Sequence, residues 1–249
     1  MTGKKRTVRG IPVLKSGDSF VVVMKDGHPT KITKIESEFR FAFTLKNAAR
    51  VMAKNAAASL DQPYHAHAFV VGAVVLAYSS LEAAFDEFLH CTTTNCNSSL
   101  TESQKAIIRT IGTENLLGDE RGNVLALFNM MLRILGKSEI SPGTKVYDSA
   151  DLVRQLRNMC VHPKVERVVT LDTDQVEPLS NQQRIVKKLR GVLRLHEDAT
   201  FPNDVITADC AHWAVNACEE FFKEFTTNAG VAPGYVVETL WGFTAGANS

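Results

Sequence analysis

The run AFVVGAVVLAY, Ala68 to Tyr78, carries no charge from end to end. A helix that is apolar on every side must be wrapped by other apolar elements. The run is too short to span a bilayer, and it continues into Ser79, Ser80 and Glu82. It therefore predicts a buried central helix over about His67–His90, surrounded by helices that each offer one apolar face.

The rest of the chain supplies such helices. SEFRFAFTLKNAARVMAKNAAASL has an Ala-rich helical pattern from about Phe39 to Leu60, broken at Gln62-Pro63. A polar loop, Thr92 to Ser103, ends at Thr101 and Gln104, which have capping-box spacing. The helix that follows runs through Ile111. Another covers Val124–Leu135, with Gly136 as its C-terminal cap. Asp148 or Ser149 is expected to cap a helix over Ala150–His162, which Pro163 ends. KVERVVTLDTD suggests a short strand, and LSNQQRIVKKLRGVLRLHED a partly helical polar segment. A final helix ends at Gly230 and has Asn203 or Asp204 before it. Trp213, Phe221, Phe222 and Phe225 on that helix read as core.

Only the N-terminus breaks this character. DSFVVVMKDGHPTKITKIE, Asp18 to Glu36, reads as a β-hairpin turning at Asp26-Gly27. The expected fold class is mainly α with a small N-terminal β-hairpin. Its divisions are a hairpin appendage over 1–37, a helical domain over 38–230 and a C-terminal tail over 231–249.

Hydrophobic residues are 45% of the 249 and charged residues 22%, ordinary for a globular chain able to bury a sizeable core. A formal net charge of +1 gives no global pull toward nucleic acid or membranes, so a polyanion site must be a local cluster. Cys91, Cys96, Cys160, Cys210 and Cys218 are odd in number and irregularly spaced, with no signal peptide before them. They read as reduced thiols in a cytoplasmic protein with no membrane partner.

LVRQLRNMCVHP, Leu152 to Pro163, is the segment with chemistry in it. At about 100° per residue, Leu152, Val153, Leu156, Met159 and Cys160 form one apolar stripe. Arg154, Asn158 and His162 stack along the opposite side, with Arg157 on the neighbouring line. Val161 is apolar amid these polar groups, which suggests that something covers that side. His162 lies in the last turn, where orphan carbonyls favour imidazolium while Arg154 and Arg157 oppose it. Such a histidine suits general acid–base work, and a guanidinium suits a phosphate. One Arg and one His are the minimum for metal-independent RNA cleavage. The bland reading is a solvated helix face with a capping histidine.

LRNMCVHP resembles the Arg-x4-6-His motif of the HEPN superfamily, and AYSSLEAAFDEFL, Ala77 to Leu89, resembles a family helix bearing a Leu-Glu pair. The resemblance implies an up-and-down bundle of four to five core helices. It implies a homodimer whose two motif helices face each other across one composite site. It also implies a metal-independent endoribonuclease of toxin–antitoxin or anti-phage defence, acting on RNA beside an antitoxin or sensor protein. Arg157 and His162 would be catalytic and Asn158 auxiliary, with Arg154, Glu82 and Lys164 in support. Lys164 stands where one toxin branch has Tyr, which sets this chain apart from that branch. The alternative is the same bundle without turnover, a nucleotide-binding or protein-interaction scaffold.

Glu82 follows mostly apolar residues, so it either forms a salt bridge to Arg157 or Arg154 or lies where its helix surfaces beside Asp86. Arg184, Lys187, Lys188, Arg190 and Arg194 form the one basic cluster. It is either a guide for an RNA backbone or a solvated face. Tyr64, His65 and His67 read as a helix N-terminal cluster. Neither His90, Cys91 and Cys96 nor Cys210, His212 and Cys218 has the pairing of a zinc site. No metal or cofactor is assigned.

Overall fold

A computed structural model describes residues 22–25, 28–31, 41–93, 100–113, 123–163 and 180–230. The chain divides into two units, Met1–Phe39 and Arg40–Ser249. In the first, β1 (Val22–Lys25) pairs antiparallel with β2 (His28–Lys31), with Lys25 opposite His28. The turn Asp26-Gly27, the expected strand after Lys164 and the C-terminal tail lie outside the described residues.

Helices are the regular elements of the second unit among its described residues. Its helices are α1 (Phe41–Ala58), α2 (Pro63–Thr93), α3 (Glu102–Thr113), α4 (Val124–Ile134), α5 (Lys145–Val161), α6 (Asn181–Leu193) and α7 (Ala208–Ala229). α2 is the hub, packing against α1, α3, α4, α5 and α7. Its stretch Pro63–Leu89 is long and apolar enough to cross a membrane by length and composition, with a mean hydropathy of 1.8. Half of that window is buried against the other helices.

α1 and α2 pack extensively on each other, and both carry small buried residues: Ala42, Ala49, Ala53 and Ala56 on α1, Ala73 and Ala77 on α2. A Cβ on Gly72 would meet the Met52 side chain at 3.5 Å, ordinary contact, so that position is small but not tight. Farther along α2 the packing turns aromatic. Phe128 on α4 sits 5.3 Å from Phe85 of α2 and 4.5 Å from Phe225 of α7, between ring centroids. Phe221 and Phe222 complete the cluster at 5.7 and 6.0 Å. Buried Asn129 closes the loop after α4, accepting from Ile140 N at 2.8 Å and donating to Ile140 O at 2.9 Å.

Local chemistry sets the helix ends. Thr101 and Gln104 form the expected reciprocal cap, with Thr101 N donating to Gln104 Oε1 and Gln104 N to Thr101 Oγ1. Gly136, at φ +67, lets Lys137 N reach Leu132 O at 2.8 Å and so closes α4. α2 starts four residues before the expected His67, because Pro63, read as a breaker, serves as its first helical residue. α5 starts at Lys145 rather than Ala150. Thr144 accepts from Tyr147 N and is the cap, Val146 and Tyr147 extend the apolar stripe backward, and Asp148 instead accepts from Gly143 N at 2.9 Å. α7 is capped by Thr207, not by Asn203 or Asp204; Asp204 accepts from Thr200 N and Oγ1 in the turn before.

Lys46 on α1 is fully buried, its ammonium 5.1 Å from the Phe43 ring centroid. Burial and the nearby Arg50 cation pull its pKa down to about 8, against the upward pull of Glu219. The folded chain then holds fewer protons here than the unfolded chain between about pH 8 and 10.5, so this site's contribution to stability rises with pH across that window. The stability difference between wild type and Lys46→Met is expected to move in favour of wild type by roughly 1–3 kcal/mol across the window. A gap independent of pH in urea titrations would contradict it. Phe128→Ala should cost about 3–5 kcal/mol in the same measurement, against under about 1 for exposed Leu60→Ala.

Candidate functional site

The site is built on α5. Its inner stripe, Leu152, Val153 and Leu156, is buried, with Met159 and Cys160 packed against the core beside it. That fixes the helix about its axis and leaves Arg154, Arg157 and Asn158 half-buried and His162 exposed. His162 is the C-cap, at φ −125° and ψ 63°, and its backbone N–H donates to Asn158 O at 2.9 Å. It therefore stands just past the last turn, before Pro163.

Two groups form around this helix. On the α2 side, Arg157 Nη2 lies 3.9 Å from Glu82 Oε1, and Arg157 Nη1 donates to Asn158 Oδ1 at 3.1 Å. Glu82 thus sits by Arg157 and not by Arg154, which pairs with Asp151 on its own helix at 2.7 Å. Arg157 Nε is buried with no acceptor among the described residues, a donor that invites a further partner. Tyr78, one turn before Glu82, is buried, and burial pushes the pKa of its hydroxyl up. Tyr78 had no signal in the sequence, because an apolar run hides the polar end of its tyrosine.

On the α6 side, a cleft of about 420 Å³ opens between the end of α5 and the start of α6. His162 and Asn158 line one wall, Arg184 and Lys188 the other, with Met159 and Ile185 as apolar surface between them. Gln155, Asn181 and Gln182 add amides, and no carboxylate lines it among the described residues. A second cleft of about 440 Å³ continues along the helix pair and shares Gln155 and Lys188 with the first. Lys188 Nζ donates to Gln155 Oε1 at 3.4 Å where the two meet.

The structure thus brings His162 and Asn158 together with two members of the basic cluster. It does not bring Arg157 into the same cleft. Five residues of helix separate Arg157 from His162 by about 140° around the axis. Val161, which the sequence suggested was covered, is 41% exposed among the described residues, and Lys164 lies outside them. α6 explains the basic cluster in part as an amphipathic surface: Ile185, Val186 and Leu189 are buried while Arg184, Lys187 and Lys188 face out.

Of the other candidates, Tyr64 and His65 are exposed at the start of α2, and Cys210 and Cys218 are buried while His212 is exposed. The side chains of His90, Cys91 and Cys96 lie outside the described residues. No cluster of three metal-ligating side chains forms among the described residues.

Comparison with protein-family models, curated proteins and solved structures finds no match.

Cys160 lies on the motif helix, and burial pushes its thiol up to about 11. A thiol held protonated at neutral pH is a poor nucleophile. Iodoacetamide at pH 7.5 is therefore expected to leave Cys160 unlabelled in the folded chain, as read by peptide mapping, and to label it after denaturation. Rapid labelling of the native protein would contradict this.

Proposed function

We propose that the chain is a metal-independent endoribonuclease of the HEPN kind, an up-and-down bundle acting in the cytoplasm as a homodimer. The observation that carries the reading is the cleft itself: an imidazole, an amide and two cations face one another, and no carboxylate lines it among the described residues. The start of α6 adds the positive end of a helix dipole. Arg184 and Lys188 hold the scissile phosphate and its neighbour. His162 moves the proton: the 2′-oxygen loses it, attacks phosphorus, and the bond from phosphorus to the 5′-oxygen breaks. The products are a 2′,3′-cyclic phosphate and a 5′-hydroxyl end. Asn158 orients the substrate oxygen.

Arg157, steadied by Glu82 and Asn158, faces away from its own His162. In a dimer whose motif helices lie side by side, the guanidinium comes from the second copy and stabilises charge on phosphorus. Exposed Val161 lies on this face and gains cover from the same pairing. A role in toxin or anti-phage defence, with an antitoxin or sensor protein as regulator, follows from the family resemblance alone. The separation of Arg157 from the cleft favours a second reading, a non-catalytic nucleotide-binding scaffold on the same bundle.

Purified full-length chain incubated with a panel of RNAs should yield cyclic-phosphate ends. His162→Ala should lower the rate by about 10²–10⁴-fold with an unchanged circular-dichroism melt. RNA that is bound but stays intact across the panel would favour the scaffold, and RNA neither bound nor cut would overturn both readings.

A further inference from the structure

The second cleft, between the first half of α5 and the end of α6, has a different chemistry from the first. Asp148 and Lys145 stand at one end, Lys188 at the other, and Leu152 and Val192 provide apolar wall. Val192 is an apolar side chain left 40% exposed on an otherwise polar surface. Asp151 is already committed: Oδ1 accepts from Arg154 Nε at 2.8 Å and Oδ2 from Gln155 Nε2 at 2.6 Å. Asp148 is held differently. Its Oδ1 accepts from Gly143 N at 2.9 Å, which fixes the carboxylate and leaves Oδ2 with no partner among the described residues.

We infer that the α5–α6 groove holds a guanosine nucleotide, its phosphate at Arg184 and Lys188 and its base against Asp148. This rests on the reading of the first cleft as a phosphate site and names the base that belongs beside it. Asp148 and Gln155 are seven residues apart, about 10 Å along the helix axis. Gln155 carries the contact to Lys188, so carboxylate and cation are separated by a span that one nucleotide bridges from base edge to phosphate.

The base follows from donor and acceptor patterns. Guanine presents two adjacent N–H donors, at N1 and N2, next to the O6 acceptor. A fixed carboxylate with a lysine beside it complements that edge. Uracil offers one donor between two acceptors. Adenine and cytosine place their amino group next to a ring acceptor, which a carboxylate repels. Val192 and the edge of Leu152 supply apolar contact for the ring face, which accounts for the exposed valine.

The test is calorimetric titration of the full chain with 3′-GMP, 3′-AMP, 3′-CMP and 3′-UMP, alongside the RNA-cleavage assay. 3′-GMP is expected to bind at least about tenfold tighter than 3′-UMP, a factor that one additional hydrogen bond to a charged group supplies. Asp148→Asn keeps an oxygen for Gly143 N and replaces the other with a donor. It should bring the preference below about threefold by weakening 3′-GMP more than 3′-UMP. Lys188→Ala should weaken all four. Equal binding of the four nucleotides would overturn the guanine site and leave the phosphate cleft standing. RNA cleavage without nucleotide binding would overturn it and leave the nuclease standing. Neither binding nor cleavage would remove both.

Discussion

The burial of Leu152, Val153 and Leu156 on α5, a helix that packs on α2 and α7, is the constraint on which everything else depends. It locks α5 about its own axis. Once those side chains are inside, the angular positions of Arg154, Arg157, Asn158 and His162 follow from the helix repeat. The aromatic cluster around Phe128 supports this arrangement from behind, since Tyr147 at the start of α5 stacks its ring 6.2 Å from Phe221 of that cluster. A loosened core would let α5 rotate, and the polar groups would lose their separate destinations.

Those destinations divide one helix between two neighbours. Toward α2, Arg157 meets Glu82, the first acidic side chain after the apolar run. Toward α6, His162 and Asn158 meet cations. The helix thus separates a guanidinium paired with a carboxylate from a cleft lined by cations. Neither ion pair of the motif helix is deeply buried. Arg154 and Arg157 are each a quarter exposed, so their value lies in aiming side chains more than in holding the fold.

Much of this was legible in the sequence because it depends on period and on single residues with fixed backbone roles. The apolar run of α2, the Thr101–Gln104 box, Gly136 and Gly230 each speak for themselves locally. The starts of α2, α5 and α7 were not legible, because competing cap formers stood within a few residues and tertiary packing chose among them. Asp148 looked like a cap and instead ties down Gly143; Asp204 did the same for Thr200. Within the candidate site, the pairing of Glu82 with Arg157 was one of two options that sequence left open. That α6 would lie alongside α5, bringing Arg184 and Lys188 to His162, had no local signature. Long-range packing alone decides it. The division of Arg157 from His162 was implicit in their five-residue spacing.

The most direct measurement of the central claim is a histidine-ring NMR titration of the full chain with a single-stranded RNA dinucleotide whose 2′-hydroxyl is replaced by hydrogen. Such a probe carries the scissile phosphate but cannot be cut. The account predicts that the His162 ring resonances shift in a saturable way while those of His65 and His212, exposed on α2 and α7, stay in place. Shifts of all histidines together, or of none, would contradict the assignment of the α5–α6 cleft as the place where a phosphodiester meets this protein.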